Sequence, residues 1–489
     1  MQTPTVSSTI EAQVESQDSF GEVNRHTQGT EYYGPTGIYS FLLRLRLRAR
    51  NQSLRDDVNE RHHGDGSRCS KSMRDLSIVN FLHSSDYQAP QNTLQNNQTG
   101  GHTSQSIDLQ VSSSSRDQST SPRINLLHES RSHLPSPSSH EASIGSTTFR
   151  MSLSTSIQRE CLRLYFQNLH LIHPILEEST FFERCENEIL SQRLEPSNDF
   201  LALFNAVLAV GAVTAGQDSS LMQSAPAVAS METPSFVPLK FAKLFFERSK
   251  KYLGDIFEAC SIERAQTLFL LAVFCQNALK PHSCYMYSGM AVRSALAIGI
   301  PSLKGCESAP ASALWWALYA HEVEMCASAG REATLREPSY YRIPLPYALA
   351  PNDPKQSLSQ HMVALAHLLQ ELNQETSRIE RQALTMHNSM KSLDLDQRLL
   401  DWKSDLPRML DLESASLVEP EWLTKQKIVL TLRFYNARIL IHRPFLIAAA
   451  GGTTTGISSD HVTLCVEASR RTITLLYNAY SHRPYFRTW

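Results

Sequence analysis

The sequence predicts an all-α fold, with a large multi-helix domain over residues 155–489. From about residue 152 to the end, apolar residues recur at helical spacing and there is little strand signal. Prolines and glycines separate these stretches where helices are expected to end. Residues 1–150 differ, because they are rich in Ser, Gln, Thr and Asn. That composition predicts a mostly disordered N-terminal region.

The overall composition argues against several kinds of protein. The formal net charge is -2 over 489 residues, so no global basic field draws the chain to nucleic acid. None of the nine cysteines forms a C-x-x-C pair, which argues against a zinc ribbon or a redox dithiol. The first residues lack a signal-peptide pattern, and the apolar runs fall short of the roughly 18 residues that a membrane span requires. We therefore expect a soluble, intracellular protein with no membrane partner.

The main feature of the N-terminal region is a run of alternating arginines, Arg44, Arg46, Arg48 and Arg50. Such a run is typical of a nuclear-import signal or a phosphate-contacting patch, and equally of a solvated basic face. Two apolar islands accompany it. The first, residues 32–43, begins with a turn, and the second, residues 76–82, is a candidate for docking on a folded domain.

Five helices are predicted in the first half of the helical domain. The first is amphipathic, because apolar residues recur at i, i+3, i+4 and i+7 from Leu162, and it ends before Pro174. Pro281 and Gly299 mark later boundaries. The predicted spans are Glu160–His170, Asn198–Ala215, Leu239–Phe257, Arg264–Leu279 and Tyr285–Ile298.

The second half begins with a helix at Ala311–Ala329, which Gly330 is expected to end. A long polar pair of helices follows within Asp353–Leu400. The next helix, Trp422–His442, is predicted to stop at Pro444, with His442-Arg443-Pro444 capping it. After a Gly/Thr/Ser loop, the last helix is predicted at Asp460–Tyr480.

Several segments, in this order, resemble the regulatory domain of fungal zinc-cluster transcription factors, also called the middle homology region. They are Leu164–Leu176 with its His-Pro turn, Tyr287–Arg293, Trp315-Trp316, Gly330-Arg331 and His442-Arg443-Pro444. The resemblance covers about residues 155–489 and implies a helical regulatory domain. It also implies structural roles for the motif residues Gly289, Arg293, Trp315, Trp316, Gly330, Arg331, His442, Arg443 and Pro444.

The chain also departs from this family pattern. The family usually carries an N-terminal module of six cysteines that holds two zinc ions, and no such spacing occurs here. We therefore expect no cofactor in this chain. Glu322-Val323 replaces the family's Asp-Arg, and Glu332 replaces a proline after Gly-Arg. The chain stops at Trp489, where relatives tend to continue, so a domain truncated at its C-terminal end is expected.

Two arginines are candidates for a site or for a structural role. Arg331 is expected either to contact an effector or partner, or to bind helix C-terminal carbonyls or a carboxylate such as Glu322 or Glu324. The second interpretation is favoured. For Arg293, on a helix whose other face is apolar, an internal ion pair is favoured over a site.

The remaining candidates give no catalytic or metal site. Trp315 and Trp316 are candidates for lining an effector pocket, but core packing is favoured. His170 and His173 are three apart, yet Pro174 follows and no third ligand is near, so no metal site is expected. No hydrolase, metalloprotease or phosphate-binding motif occurs. Asp56-Asp57, the only trace of a magnesium-binding carboxylate pair, is favoured as a solvated charge run.

These observations predict a nuclear transcription regulator that resembles fungal pathway-specific factors, those of metabolic or secondary-metabolite gene clusters. DNA would be bound only weakly, through Arg44 to Arg50, or through a partner protein. Other transcription factors or a second copy are the expected partners. One alternative is a cofactor or inhibitor that does not bind DNA and pairs with intact members of the family. The other is an all-helical enzyme, such as a terpene-processing one.

Overall fold

The computed structural model describes residues 20–23, 30–45 (without 35, 39 and 43), 155–215 (without 192), 221, 237–302, 309–349, 354–381, 384–413, 419–450 and 460–482. Across these residues the predicted all-α fold is confirmed. Twelve α-helices form the domain: α1 Thr155–Asn168, α2 Glu178–Arg184, α3 Asn198–Val213, α4 Val237–Leu253, α5 Ile262–Asn277, α6 Pro281–Ala297, α7 Ala309–Ala329, α8 Pro346–Leu349, α9 Ser357–Arg381, α10 Met386–Ser404, α11 Glu421–Ala450 and α12 Asp460–His482. A π-helical segment, Cys185–Leu190, continues α2.

Polar caps and one proline account for where several helices begin. Ser197 and Ser261 each accept a backbone N–H from three residues further on, at 3.1 Å, and so begin α3 and α5. Thr385 begins α10 in a reciprocal capping box with Asn388. Pro281 is the first residue of α6, where its fixed φ suits the helix and its missing N–H is not needed.

The core of the N-terminal half is built around α3 and α5. Both helices are apolar on nearly every side, and α3 packs against α1, α4 and α5. Gly211 allows α1 and α3 to approach closely, because a Cβ there would lie 2.0 Å from the backbone oxygen of Cys161. In the C-terminal half, α11 contacts α9, α10 and α12.

The end of α11 differs from the prediction. The helix does not stop at Pro444 but continues to Ala450. A proline inside a helix costs about 3 kcal/mol or more, because it lacks an N–H and crowds the preceding turn. The next turn offsets this cost by burying Phe445 and Ile447, at roughly 1.5–3 kcal/mol per large side chain. The Phe445 ring stacks on His461 of α12, with ring centroids 3.8 Å apart.

Two short strands precede the helical domain. β1 (Phe20–Val23) and β2 (Thr30–Tyr32) pair antiparallel, with Phe20 opposite Tyr32. The described residues from 30 to 45 include the first apolar island, which was predicted to interrupt the mostly disordered N-terminal region. They fold onto the helical domain because Tyr33 and Phe41 are buried there. The second apolar island, residues 76–82, lies outside the described residues, as does most of the region 1–150.

Candidate functional site

The chain reverses direction at the end of α7. Ala329 is the last helical residue, and Gly330 has φ of 67°, a left-handed conformation that favours glycine. The N–H of Arg331 then donates to the carbonyl of Cys326 at 2.9 Å, which closes the helix end. We call residues Ala329, Gly330 and Arg331 the α7 corner. It brings the two family-motif residues Gly330 and Arg331 to one surface.

Residues 30–42, here called the N-terminal strap, lie across the α7 corner. The N–H of Gly34 donates to the carbonyl of Ala329 at 2.9 Å, so the strap satisfies a free carbonyl at the helix C-terminus. The Arg331 guanidinium donates from Nε and Nη2 to the carbonyl of Tyr32, at 3.0 and 2.7 Å. Main-chain atoms of the strap therefore make the polar contacts with the corner.

The strap and the corner approach each other backbone to backbone. A Cβ at Gly34 would lie 1.8 Å from the carbonyl oxygen of Gly330, and one at Gly330 would lie 2.4 Å from the nitrogen of Gly37. Both distances are far below any van der Waals contact. Glycine is therefore required on both sides of the contact, at Gly34 in the strap and at Gly330 in the corner.

Side chains around the corner complete the contact. Asn373 of α9 donates to the carbonyl of Arg331 at 2.7 Å, and its Oδ1 lies 3.5 Å from the hydroxyl of Thr36. The Arg331 guanidinium also lies over the rings of Tyr285, at 4.2 Å, and Tyr33, at 5.5 Å. The strap is thus held by the α7 corner and α9, and Tyr285 of α6 supports Arg331.

Arg331 therefore has a role that differs from the favoured sequence interpretation. Its side chain binds a main-chain carbonyl from a distant segment, not the carbonyls of its own helix. The two carboxylates suggested as partners are engaged elsewhere. Glu322 accepts a hydrogen bond from Ser288 at 3.1 Å, and Glu324 forms an ion pair with Arg433 at 2.8 Å.

A chain of buried polar groups joins α10, α11 and α12. The Ser389 hydroxyl lies 2.8 Å from Nε2 of His461, and Nδ1 of His461 lies 2.8 Å from Nδ1 of His442. Nε2 of His442 lies 3.4 Å from Oδ1 of Asp396. Asp396 also accepts two hydrogen bonds from Arg438, at 2.9 and 3.0 Å. We call the series Ser389, His461, His442 and Asp396 the histidine relay.

The negative charge of Asp396, at one end of the relay, indicates which ring nitrogens of the two histidines carry protons. Burial alone would raise the pKa of Asp396, but the interactions of its carboxylate with His442 and Arg438 outweigh burial and hold that pKa low. A carboxylate facing Nε2 of His442 favours a proton on that nitrogen and leaves Nδ1 as the acceptor, although at 3.4 Å the Nε2 contact is electrostatic and not a hydrogen bond of normal geometry. His461 then donates from Nδ1 and accepts the Ser389 hydroxyl proton at Nε2. Burial, with His442 nearby, lowers the pKa of His461 to about 4, consistent with this neutral form.

The His-Arg-Pro-Phe motif connects the relay to the strap. His442 belongs to the relay, and its neighbour Arg443 places its guanidinium 5.3 Å from the centre of the Phe41 ring. Pro444 and Phe445 continue the helix towards His461. The motif lies inside α11, so the prediction that His442-Arg443-Pro444 caps a helix is wrong. Its side chains instead fasten α12 on one side and the strap on the other.

A second buried polar cluster contains the substituted family position Glu322. Ser288 donates to Glu322, and its oxygen also lies 3.1 Å from Nδ1 of His321. Because the single Ser288 proton points to Glu322, His321 donates from Nδ1 and its Nε2 faces the Cys284 thiol at 4.0 Å. Burial raises the pKa of Glu322 and lowers that of His321 to about 4. This cluster pins α6 to α7.

The tryptophan pair belongs to the core. Trp315 is 0% and Trp316 4% exposed, and Nε1 of Trp316 donates to the carbonyl of Pro344 at 3.0 Å. Trp315 meets the Tyr341 ring edge to face, with centroids 4.7 Å apart. The bulky pair thereby anchors the proline-rich exit from the α7 corner.

Two motif residues of α6 lie outside these contacts. Arg293 is exposed, and no described carboxylate lies within ion-pair distance of its guanidinium, although its charge acts on the buried Glu322 at longer range. A Cβ at Gly289 would meet no atom within 4 Å, so close packing does not require glycine there. The motif role expected of these two residues stays a prediction.

The part of the chain that the structure describes offers no grouping of metal ligands. His173 is buried and packs edge to face on Phe269, with ring centroids 5.2 Å apart. An open groove of about 550 Å³ runs between residues 333–340 and α9, lined by charged and polar side chains of both signs. No helix among the described residues is both long enough and apolar enough to cross a bilayer.

Of the alternating arginines, only Arg44 is described, and it is half-buried. Arg46, Arg48 and Arg50 lie outside the described residues, as does the acidic pair Asp56-Asp57. The docking of residues 32–42 was missed from the sequence. The signal for it was present in the Tyr-Tyr-Gly-Pro-Thr-Gly run, where two glycines flank a turn beside two aromatic residues.

The family model for the fungal specific transcription factor domain matches residues 162–411, just over half of the chain. The chain belongs to this family. The matched range begins in α1 and ends after α10, so it includes the Glu322 cluster, the tryptophan pair and the α7 corner. The strap, α11 and α12 lie outside it.

Curated relatives of this family domain are transcription regulators of fungi. Transcription factor FBD3 of Gibberella moniliformis is 22% identical over 59% of this chain and 39% of its own length. Activator of stress genes 1 of Saccharomyces cerevisiae is 25% identical over 58% of this chain and 30% of its own length. The terreic acid cluster-specific transcription factor atF of Aspergillus terreus is 20% identical over 67% of this chain and 57% of its own length. The match thus spans about a third to somewhat over half of these relatives.

Proposed function

We propose that the protein is a nuclear regulator of transcription of the pathway-specific kind, acting through its helical domain. The family match to residues 162–411 is the observation that supports this most directly. Among the relatives, the terreic acid cluster-specific factor is named for a single biosynthetic gene cluster. The domain would act as a scaffold for partner proteins, because its motif residues pack helices and hold the strap and perform no chemistry of their own.

The internal organisation of the domain supports a regulatory rather than a catalytic role. Polar groups that are buried in the described residues are used to join helices, as in the histidine relay and the Glu322 cluster. Neither cluster opens on a cavity that a substrate enters, since Ser389, His461 and Ser288 are all buried. We propose on this basis that the chain is not an enzyme and needs no cofactor of its own.

Contact with DNA is proposed to be weak for this chain by itself. Its net charge is -2, and its arginines at 44, 46, 48 and 50 are the main local concentration of positive charge. A gel shift with the purified chain is expected to show only salt-sensitive, sequence-independent binding. Exchanging all four arginines for glutamine is expected to lower the slope of log affinity against log salt by up to about 3–4. A defined, salt-resistant site would contradict this.

The regulatory role is tested by tethering. The full chain is fused to an unrelated DNA-binding module, and the expression of a reporter downstream of that module's site is measured. We expect a change in either direction relative to the module alone, and no change would contradict the proposal. A fluorescent fusion of the same chain is expected in the nucleus, with the four-glutamine variant as the test of the arginine run.

A second candidate function is a cofactor or inhibitor that pairs with intact zinc-cluster factors. The observation that favours it is the absence of any C-x-x-C pair in the 489 residues. Co-purification with a zinc-cluster factor from nuclear extract, together with reporter activity that disappears when that factor is deleted, would favour this candidate. Reporter activity that persists in the deletion strain favours direct regulation.

A further inference from the structure

We propose that the α7 corner is a peptide-docking site and that the N-terminal strap is its ligand, held within the same chain. The ligand class is an extended Tyr-Tyr-Gly-x-Thr-Gly segment recognised mainly through its backbone. This inference does not depend on the proposed role in transcription. It rests on how the strap is held and on what the corner excludes.

The corner contacts the strap as a binding site contacts a peptide. It offers one acceptor, the carbonyl of Ala329, to the N–H of Gly34, and a forked donor, Arg331, to the carbonyl of Tyr32. Both contacts are made to main-chain atoms of the strap, so they give affinity without depending on the identity of the strap's side chains. Hydrogen bonds from a guanidinium are stronger than those between neutral groups, so Arg331 is the anchor.

Specificity comes from steric exclusion, because the corner leaves no room for a side chain at two positions of the strap. The Cβ distances of 1.8 Å at Gly34 and 2.8 Å at Gly37 exclude every other residue type without movement of the corner backbone. Two cation–π contacts add to this, one between Arg331 and the Tyr33 ring and one between Arg443 and the Phe41 ring. A segment that lacks both glycines, or both rings, does not fit.

The strap lies outside the helical packing that forms the domain. Its contacts with the helices include the hydrogen bond from Gly34 to Ala329 at the end of α7, the one between Thr36 and Asn373 of α9, and the approach of Arg443 of α11 to the Phe41 ring. One turn, closed by a bond from the Phe41 N–H to the Gly37 carbonyl, gives the strap a shape of its own. These properties describe a bound ligand rather than a core element, so the site should accept the same sequence as a separate peptide.

The first experiment uses the full chain and a fluorescent peptide of residues 28–45. In the wild-type chain the strap occupies the corner, so the peptide is expected to bind weakly. Gly34→Val in the chain displaces the strap and leaves Arg331 and Gly330 intact. Peptide binding by anisotropy is then expected to tighten by at least about tenfold, because the fraction of open sites rises. A peptide carrying the same Gly34→Val change is the matched control and is expected not to bind.

Two outcomes would overturn the proposal. One is equal peptide binding by the wild-type and Gly34→Val chains, and the other is no binding by a Gly34→Val chain whose helical circular dichroism and unfolding midpoint match the wild type. Adding Arg331→Ala to the Gly34→Val chain is expected to abolish peptide binding. Retention of binding in that double variant would place the site elsewhere.

A second measurement covers the case in which Gly34→Val does not fold. A protease site is inserted after Gly66 in the otherwise wild-type chain, which is cut and passed over a size-exclusion column. The N-terminal fragment is expected to elute with the helical domain, and the peptide in excess is expected to displace it. Elution of the two pieces apart contradicts docking. In a mixture of isotopically labelled and unlabelled copies of the chain, cross-links that join the strap of one copy to the corner of another would contradict docking within one chain.

Discussion

Arg331 donates two hydrogen bonds to the backbone carbonyl of Tyr32, a residue 299 positions earlier in the chain. The contact explains why an arginine follows the glycine that ends α7. Gly330 gives the backbone clearance for the strap, and Arg331 binds the carbonyl that the approach brings near. A motif that resembles a helix C-cap in the sequence is therefore also the receiving surface for a distant segment.

Replacing Arg331 with alanine is expected to loosen the strap without unfolding the helical domain. Hydrogen bonds from a charged donor contribute about 1.5–3 kcal/mol, and partial exposure of Arg331 places the expected effect near the lower end. Hydrogen exchange at the Gly34 and Gly37 amides is expected to speed up by roughly tenfold. Arg331→Lys keeps the charge but loses the forked guanidinium, so its exchange rates should lie between those of the wild type and the alanine variant. Equal protection in all three chains would contradict the anchoring role.

Removing the nitrogens of His461 is expected to destabilise the whole domain. His461→Phe keeps a ring that can stack on Phe445, but it leaves the Ser389 hydroxyl and Nδ1 of His442 buried without partners. Each such group costs about 1–3 kcal/mol, so a loss of roughly 2–5 kcal/mol in the free energy of unfolding is expected from urea titration. Ser469→Ala, on the same helix, removes only a bond to its own helix and should cost less than about 1 kcal/mol. Similar midpoints for the two variants would rule out the relay as a stabilising network.

Stability is expected to fall as pH is lowered from about 6.5 to about 4. The folded-state pKa of His461 and of His321 is about 4, below the ordinary value of 6.5, because burial disfavours their charged forms. The unfolded chain therefore binds more protons in this window, and its protonation draws the equilibrium towards unfolding. A shift of this size corresponds to on the order of 3 kcal/mol per histidine once pH is below both pKa values.

Glu322 acts in the opposite direction, because burial raises its pKa and its stabilising contribution therefore grows as pH falls. Burial also lowers the pKa of His173 and His361, so four histidines oppose this one carboxyl, and the net slope between pH 6.5 and 4 is expected to favour unfolding at the acidic end. Thermal unfolding followed at half-unit steps of pH provides the test. His461→Phe should show a shallower slope than the wild type, and parallel profiles for the two chains would exclude His461 as a source of the dependence.

Trp315→Ala is expected to destabilise the protein by about 3–5 kcal/mol, the usual cost of truncating a large buried aromatic side chain. Tyr477→Ala is the matched comparison, because that side chain is 73% exposed and its loss should change the free energy of unfolding by less than about 0.5 kcal/mol. If Trp315 lined an effector pocket instead, its loss would change unfolding little and alter regulation in the reporter assay.

Local signals made most helix positions predictable from the sequence. The apolar spacing from Leu162 defined α1, and Gly330 ended α7 where expected. Pro444 is different, because its effect depends on what lies beyond it. The burial of Phe445 against His461 is a tertiary contact, and no local pattern reveals that it outweighs the cost of a proline inside a helix. The all-α class was therefore predictable, whereas the length of α11 was not.

The candidate site was less predictable than the fold, for the same reason. The sequence marked Gly330, Arg331, His442 and Arg443 as motif residues but gave them roles within their own helices. Their partners, Tyr32, Phe41 and His461, lie on other segments of the chain and carry no periodic signal. Contacts between distant segments depend on the assembled fold, so only the structure joins these residues into one site.

The separation of 299 residues between Tyr32 and Arg331 also sets an order of events during synthesis. At about 5–20 residues per second, the strap leaves the ribosome roughly 15–60 s before the corner that receives it exists. Through that interval its tyrosines and glycines are open to chaperones and to other chains in the same polysome. Docking of the strap can therefore begin only after α7 has been translated, and its contact with Arg443 can form only after α11 has been translated.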